Sequence, residues 1–186
     1  MHGMKIELVK WSPAMKRELM AVCNGVDRTF LSNRMPDPYT EEAADWWLGM
    51  VSEHDGKDGV FRAVVVDGKV AGNISVERKT DVYCRDAEIG YCLLPEYRSR
   101  GIMTEAARRI CELAFPELDL VRITGLVYVP NVASQRVLEK NGFVREGVQR
   151  NAVFKNGRIW DLCLYGKLKE SGAAATDASC PAVYEA

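Results

Sequence analysis

Runs of apolar residues with two different periods predict both strands and helices along the chain. Met4 to Val9 is a short apolar run that predicts a first strand, and Phe61 to Val76 predicts a β-hairpin turned at Asp67-Gly68. Asp-Gly favours the hairpin because both residues tolerate the positive φ angles of a tight two-residue turn. A closing hairpin is predicted from Phe143 to Leu168, with its turn at Asn156-Gly157.

Helix-start signals follow the first strand. Ser12-Pro13 predicts a helix that ends near Asn24-Gly25, with serine as the N-cap and proline in the first helical position. The turn-rich segment from Ser32 to Tyr39 then leads to a second helix capped by Thr40. The predicted apolar side of this second helix carries Ala43, Trp46, Trp47 and Met50.

Strands and helices alternate in the second half of the chain. Strands are predicted from Ala87 to Leu94 and from Val121 to Val129, and helices from Ile102 to Phe115 and from Ala133 to Lys140. The order predicts an α/β (α+β) fold with a mixed, largely antiparallel sheet flanked by helices. We expect one domain over residues 1–168, followed by a disordered tail over residues 169–186, which lacks any hydrophobic period.

Composition narrows the possible functions. The 186 residues include 25 basic and 26 acidic side chains, so the net charge of -1 argues against a nucleic-acid partner. The chain has no run of about 18 apolar residues, so no membrane span is predicted. Six cysteines without CxxC spacing and two histidines argue against a metal site. We expect reduced cysteines that mostly fill the core, and a cytoplasmic location.

A basic turn between a strand and a helix is the most informative stretch. After Leu94-Pro95, the loop Arg98-Ser99-Arg100-Gly101 leads directly into the helix that begins near Ile102. The first N–H groups of a helix have no partners within it and the helix dipole adds positive charge there, so such a turn suits a phosphate. Taken alone, the turn also fits a capped helix with a solvated basic loop.

The same stretch resembles a known family. Arg98-Ser99-Arg100-Gly101-Ile102-Met103 is similar to motif A of the GCN5-related N-acetyltransferases, Gln/Arg-x-x-Gly-x-Gly/Ala, although Met103 replaces a small residue. The resemblance covers roughly residues 60 to 168, in the family's order. Its further segments are Ala87 to Tyr91, Asn131 to Ser134, Glu139 to Phe143 and Gly157 to Asp161, and they point to the ribosomal-protein alanine/serine N-terminal acetyltransferase branch.

The resemblance implies an acyl-CoA N-acyltransferase fold, with acetyl-CoA as cosubstrate and no metal. Its fourth and fifth strands are expected to splay apart around the pantetheine arm. The implied cofactor-binding residues are Cys92, Leu93, Leu94, Arg98, Ser99, Arg100, Gly101, Ile102, Met103, Thr104, Asn131 and Ser134.

Two residues are candidates for proton transfer. Glu88 is the candidate general base, and strand alternation places it on one face with Gly90 and Cys92. Many family members use a tyrosine to protonate the leaving thiolate, but Leu138 stands at that position, so the resemblance implies Ser134 instead. Glu88 could equally be a solvent-exposed or structurally paired glutamate, and Asn131 and Ser134 could be plain helix caps.

The acceptor is expected to be a primary amine. An α-amine has a pKa near ~7.8 and a lysine near ~10.4, so a single modest base favours a peptide or protein N-terminus. The alternative acceptor is a small amine such as a polyamine or antibiotic. A third hypothesis is that the protein is a non-catalytic acetyl-CoA-binding module. We expect the first two helices, the Ser32 to Tyr39 loop and the closing hairpin to form the acceptor pocket in a monomer or homodimer. Its candidate acidic residues are Asp37, Glu41, Glu42, Asp45 and Asp161.

Overall fold

The computed structural model describes residues 4–170, which contain seven strands and four α-helices. The disordered tail expected over residues 169–186 lies almost wholly outside the described residues. The strands are β1 Ile6–Lys10, β2 Gly59–Val66, β3 Lys69–Arg78, β4 Asp86–Leu93, β5 Arg122–Tyr128, β6 Val144–Lys155 and β7 Arg158–Leu168. The helices are α1 Lys16–Gly25, α2 Glu41–His54, α3 Ile102–Glu117 and α4 Val132–Lys140.

One sheet runs through the molecule in the order β1-β2-β3-β4-β5-β7-β6. Every neighbouring pair is antiparallel except β4 and β5, which are parallel. The helices cover both faces of the sheet: α3 packs into one apolar core, and α1 and α2 pack into a second. The α/β (α+β) class with a mixed, largely antiparallel sheet is therefore confirmed.

Both predicted hairpin turns are confirmed. Asp67 and Gly68 have φ angles of 48° and 81°, and Asn156 and Gly157 have φ angles of 51° and 72°. Because most side chains resist this left-handed region, the asparagine, aspartate and glycine residues at these positions fix where each hairpin turns.

Only one of the two predicted helix caps forms. The Thr40 side chain accepts a hydrogen bond of 3.3 Å from the Ala43 N–H, which confirms the cap of α2. Ser12 takes the N-cap position and Pro13 opens the turn, as predicted, but the Ser12 side chain makes no capping hydrogen bond. The chain first forms a short 3₁₀ turn at Pro13–Met15, and α1 begins only after it, at Lys16.

The buried face of α2 differs from the predicted one. Ala44, Leu48 and Val51 are buried, whereas Trp46 is 71% exposed. Trp47 still packs edge-on against Trp11, with ring centroids 5.7 Å apart. Apolar residues cover more than half of the circumference of α2, so two neighbouring rows of residues fit the helical period. The row of Ala44, Leu48 and Val51 lies closest to the core, because the small Ala44 side chain allows close packing.

Among the cysteines of residues 4–170, four are free thiols, of which Cys23, Cys111 and Cys163 are buried as expected. The expectation of reduced cysteines is wrong for Cys84, which is disulfide-bonded. Within residues 4–170, no helix is both long and apolar enough to cross a membrane.

Candidate active site

The two parallel strands separate at the centre of the sheet. Pairing between β4 and β5 covers three positions and ends at Glu88 opposite Thr124. Both strands continue beyond this point, β4 to Leu93 and β5 to Tyr128. The main chain of β4 after Glu88 therefore has β3 on one side and an opening on the other, at a point we call the strand fork.

A hydrogen-bonded network of charged side chains holds the closed end of the strand fork. The Asp86 carboxylate accepts bonds from Lys79 at 2.6 Å and from the Thr124 hydroxyl at 2.9 Å. Arg122 adds a bond of 3.1 Å to Thr124 and a second of 2.7 Å to Glu146. The network ties β4, β5 and β6 together, so it fixes where the two strands separate.

Glu88 lies at the strand fork, on the sheet face that α1 and α2 also cover. Glu77 on β3 stands directly opposite it in register, so the two side chains share that face. Glu88 is exposed to solvent, yet neighbouring protein atoms displace enough water to raise the pKa of its carboxyl. The positive charges of Lys79 and Arg34 act against this rise in pKa, and the negative charge of Glu77 adds to it.

The basic turn has the backbone geometry of an anion site. Ser99 and Gly101 have φ angles of 62° and 74°, and α3 begins immediately after Gly101. No other protein atom lies within 4 Å of where a Cβ on Gly101 would stand, so the space above this residue is open. Residues 98–101, which we call the phosphate loop, thus place the first N–H groups of α3 beside an open, positively charged surface.

Two residues of the phosphate-binding motif have other partners. The Arg98 N–H bonds to the Pro95 carbonyl oxygen at 3.1 Å, so this residue offers only its side chain, which pairs loosely with Asp27 at 3.4 Å. The Met103 side chain is buried in the core beneath α3. Because it points away from the loop, its size does not narrow the approach to the backbone.

The end of β4 provides a wall for the opening. The Leu94 N–H bonds to the Ala71 carbonyl oxygen at 2.9 Å, which keeps the strand end attached to β3. Burial raises the pKa of the half-buried Cys92 thiol to about 11, so this thiol keeps its proton at neutral pH. Cys92 and Leu93 can therefore contribute main-chain groups and surface, but not a thiolate.

The start of α4 faces the opening from the other side of the sheet. Asn131 caps the helix, because its Oδ1 accepts a bond of 3.2 Å from the Ser134 N–H. Its amide group still carries two N–H donors. The Ser134 hydroxyl oxygen lies 2.7 Å from the Tyr91 Oη, and the same Oη also donates to the Ser134 carbonyl oxygen at 3.2 Å.

Tyr91 is a residue of the candidate site that the sequence analysis did not single out. Burial raises the pKa of its phenol to about 12, so the phenol is protonated at neutral pH. Tyr91 and Ser134 are 43 positions apart in sequence, and only the packing of α4 on β4 brings them together.

The segment between α1 and α2 packs on the closing hairpin. The rings of Phe30, Tyr128 and Trp160 cluster with centroids 5.4 to 6.2 Å apart. The buried Lys155 ammonium donates to the carbonyl oxygens of Arg28, at 2.6 Å, and Leu31. This segment, residues 26–40, is called the 26–40 loop below.

The acidic residues considered for the pocket are mostly engaged elsewhere. Asp45 pairs with Lys16 at 3.0 Å, and Glu41 lies 3.7 Å from the same ammonium. The Asp161 carboxylate accepts the Asn151 N–H at 2.8 Å. Glu42 bonds with the capping residue Thr40, and Asp37 is exposed. The carboxylates beside the strand fork are instead Glu77 and Glu88.

The geometry fits a coenzyme A thioester. The phosphate loop offers backbone N–H groups and the charges of Arg98 and Arg100 to a diphosphate, and the strand fork offers unpaired strand edge to an extended arm. A seven-stranded sheet with one parallel pair that separates beside a phosphate-binding helix start defines the acyl-CoA N-acyltransferase fold.

Comparison with known proteins gives the family. Residues 5–144 match the family model described as an acetyltransferase (GNAT) domain. YdaF of Bacillus subtilis, by its name a candidate ribosomal N-acetyltransferase, is 35% identical over 133 residues, which are 72% of this chain and 70% of YdaF. The chain belongs to the GNAT family and is an acetyl-CoA-dependent N-acetyltransferase.

Other relatives differ in their acceptors. The spermidine N(1)-acetyltransferase of Escherichia coli is 30% identical over 115 residues, covering 60% of this chain and 61% of that protein. The structure of RimL, a ribosomal L7/L12 α-N-protein acetyltransferase in complex with coenzyme A, superposes with a TM-score of 0.77 at 22% identity. It covers 88% of this chain and 93% of its own. The fold is therefore shared by enzymes for protein N-termini and for small amines.

Proposed function

We propose that this enzyme acetylates the N-terminal α-amine of a peptide or protein, with Glu88 as the general base. The observation that carries the proposal is the position of Glu88 at the strand fork, on the face shared with the 26–40 loop. An amine entering over this face meets a carboxylate where the thioester arm ends. We also propose that the enzyme is cytoplasmic, as expected from the sequence.

The acceptor class follows from the cost of removing a proton. At pH 7 deprotonation costs about 1 kcal/mol for an α-amine and about 4.6 kcal/mol for a lysine. A single carboxylate with a raised pKa can therefore remove the proton from an α-amine much more readily than from a lysine side chain. The similarity to YdaF supports the same acceptor class, whereas the similarity to the spermidine enzyme supports a small amine as the alternative.

In the proposed mechanism, the bound acetyl-CoA supplies the activated acetyl group. The phosphate loop holds the diphosphate through backbone N–H groups, and the edge of β4 at Cys92 and Leu93 orients the arm. Glu88 takes the proton from the amine, directly or through a water molecule. The Ser134 hydroxyl holds a proton toward the sulfur, and the Asn131 amide binds the arm near it.

Tyr91 is a positioning residue in this mechanism. Its single phenolic proton has two possible acceptors, the hydroxyl and the carbonyl oxygen of Ser134. When Tyr91 donates to the hydroxyl oxygen, the Ser134 proton is free to point into the strand fork. When Tyr91 donates to the carbonyl oxygen, the Ser134 hydroxyl can donate a hydrogen bond to the Tyr91 Oη. A negative charge on the sulfur favours the first arrangement.

Variants of this pair give a testable prediction. We expect Ser134→Ala to lower kcat by about a hundredfold, at the lower end of the usual range for acid–base groups. Tyr91→Phe should lower kcat less, by roughly tenfold, because Tyr91 only orients Ser134. The KM for acetyl-CoA should change little in either. Because Tyr91 acts through Ser134, the double variant should be no slower than Ser134→Ala alone. Steady-state kinetics of the three variants test this, and multiplying losses would contradict it.

The acceptor class is tested by acetyl-CoA-dependent thiol release. Two peptides share one sequence with an internal lysine. The first has a free N-terminus, and the second has a blocked N-terminus, so that only its lysine amine can react. Spermidine and an aminoglycoside represent small amines, and a reaction without acceptor gives the background. We expect release with the free N-terminus and background with the blocked peptide. Release driven only by small amines would overturn the proposal in favour of the alternative.

A further inference from the structure

The 26–40 loop is a rigid wall of the acceptor side. Asn24 closes its two ends, because its side chain bonds to both the carbonyl oxygen and the N–H of Tyr39, at 3.0 and 2.9 Å. The Arg28 guanidinium spans the loop and bonds to the Pro36 carbonyl oxygen at 2.7 Å. Together with the Lys155 ammonium beneath it, this bonding holds the backbone of the loop in one conformation.

The rim of this wall is positively charged. Arg34 on the 26–40 loop is exposed, and its charge acts on the Glu88 carboxyl. Arg158, also exposed, lies over the Trp160 ring at 5.7 Å. Neither guanidinium has an ion pair or a hydrogen bond with any residue in the range 4–170. By contrast, Asp27 on the same loop is already paired with Arg98, which leaves Asp37 as its other carboxylate.

Charge therefore changes sign along the acceptor side. The inner end, at the strand fork, carries the carboxylates of Glu77 and Glu88. The aromatic cluster of Phe30, Tyr128 and Trp160 adds an apolar surface. Arg34 follows Phe30 on the same loop, and Arg158 lies over the Trp160 ring. An amine followed by carboxylates matches this order, since its positive end meets the carboxylates and its negative groups meet the arginines. A polyamine matches the inner end but is repelled at the rim.

We propose that the acceptor is a peptide or protein N-terminus whose first few residues after the amine include aspartate or glutamate, bound by Arg34 and Arg158. This inference rests on the N-terminal acceptor proposed above and adds the chemistry of the residues that follow it.

Three peptides of one length test the inference. They share the first two residues and differ at positions three to five, which carry acidic, neutral amide or lysine side chains. We expect kcat/KM to fall in that order, with the acidic peptide about tenfold better than the lysine peptide, as for two exposed charge pairs. The preference should shrink as sodium chloride is added, because salt screens exposed charges.

Charge-reversal variants make the test specific to the rim. In Arg34→Glu/Arg158→Glu the order of the acidic and lysine peptides should reverse. The three peptides are compared within one variant, because the loss of the Arg34 charge beside Glu88 affects all of them alike. The matched control Arg17→Glu/Arg136→Glu makes the same change in net charge on α1 and α4, and it should keep the wild-type order.

The outcomes separate this inference from the proposed function. If none of the three peptides reacts while a small amine does, the N-terminal acceptor itself is wrong. If all three react equally well, or if the control variant reverses the order as the rim variant does, only the acidic preference is overturned.

Discussion

Replacing Gly101 with valine is expected to raise the Kd for acetyl-CoA about tenfold. Gly101 has a φ of 74°, a conformation that costs other residues roughly 1–2 kcal/mol and costs a β-branched residue more. If binding needs this conformation, that strain corresponds to a roughly 5- to 30-fold weaker complex. The added side chain would also stand in the open space where a diphosphate approaches the start of α3.

The matched control for this prediction is Gly68→Val in the turn between β2 and β3. Gly68 has a φ of 81°, and an added Cβ there also meets no other protein atom within 4 Å. In a calorimetric titration, only Gly101→Val should weaken acetyl-CoA binding, because the turn at Gly68 lies outside the proposed cofactor site. An unchanged Kd in Gly101→Val would remove the phosphate loop from the cofactor site.

Glu88→Gln is expected to lower kcat/KM for the acceptor by about 10²- to 10³-fold at pH 7. Glutamine keeps the shape of the side chain but cannot accept the proton, and general bases usually contribute on this scale. The remaining activity should rise toward higher pH, because an α-amine with a pKa near ~7.8 then loses its proton unaided. Wild-type activity in Glu88→Gln across the pH range would exclude Glu88 as the base.

The pH profile of the wild-type enzyme provides a second check on Glu88. The base works only when it is deprotonated, so activity should fall as the pH drops through its raised pKa. Glu77→Gln removes the facing negative charge, which should move this fall to lower pH. Lys79→Met removes a positive charge and should move it to higher pH. Shifts in the same direction for both variants would contradict the assignment.

Much of the fold could be predicted because its signals are local. The turns at Asp67-Gly68 and Asn156-Gly157 are set by residues that accept positive φ, and each prediction needs only the neighbouring sequence. The buried face of α2 could not be chosen this way. Its apolar residues satisfy two adjacent stripes, and the choice between them depends on how closely the helix backbone approaches the sheet.

The candidate site divides in the same way. The phosphate loop is a contiguous motif, so its residues were available to sequence reasoning. Tyr91, Lys79 and Arg34 were not, because their importance arises from where the fold places them: Tyr91 beside Ser134, and the charges of Lys79 and Arg34 near Glu88. Tyr91 carries no signal of its own beyond a strand position, and only the hydrogen bond to Ser134 distinguishes it from other strand tyrosines.

The Lys155 ammonium has a consequence for how the protein matures. It joins the closing hairpin to the carbonyl oxygens of Arg28 and Leu31, across 127 and 124 positions of sequence. During synthesis the chain emerges from its N-terminus, so the 26–40 loop leaves the ribosome long before Lys155 exists. The strands and helix around the phosphate loop are complete earlier. A growing chain would thus form the part around the phosphate loop first, and the 26–40 loop would take its final form only after the closing hairpin has been synthesised.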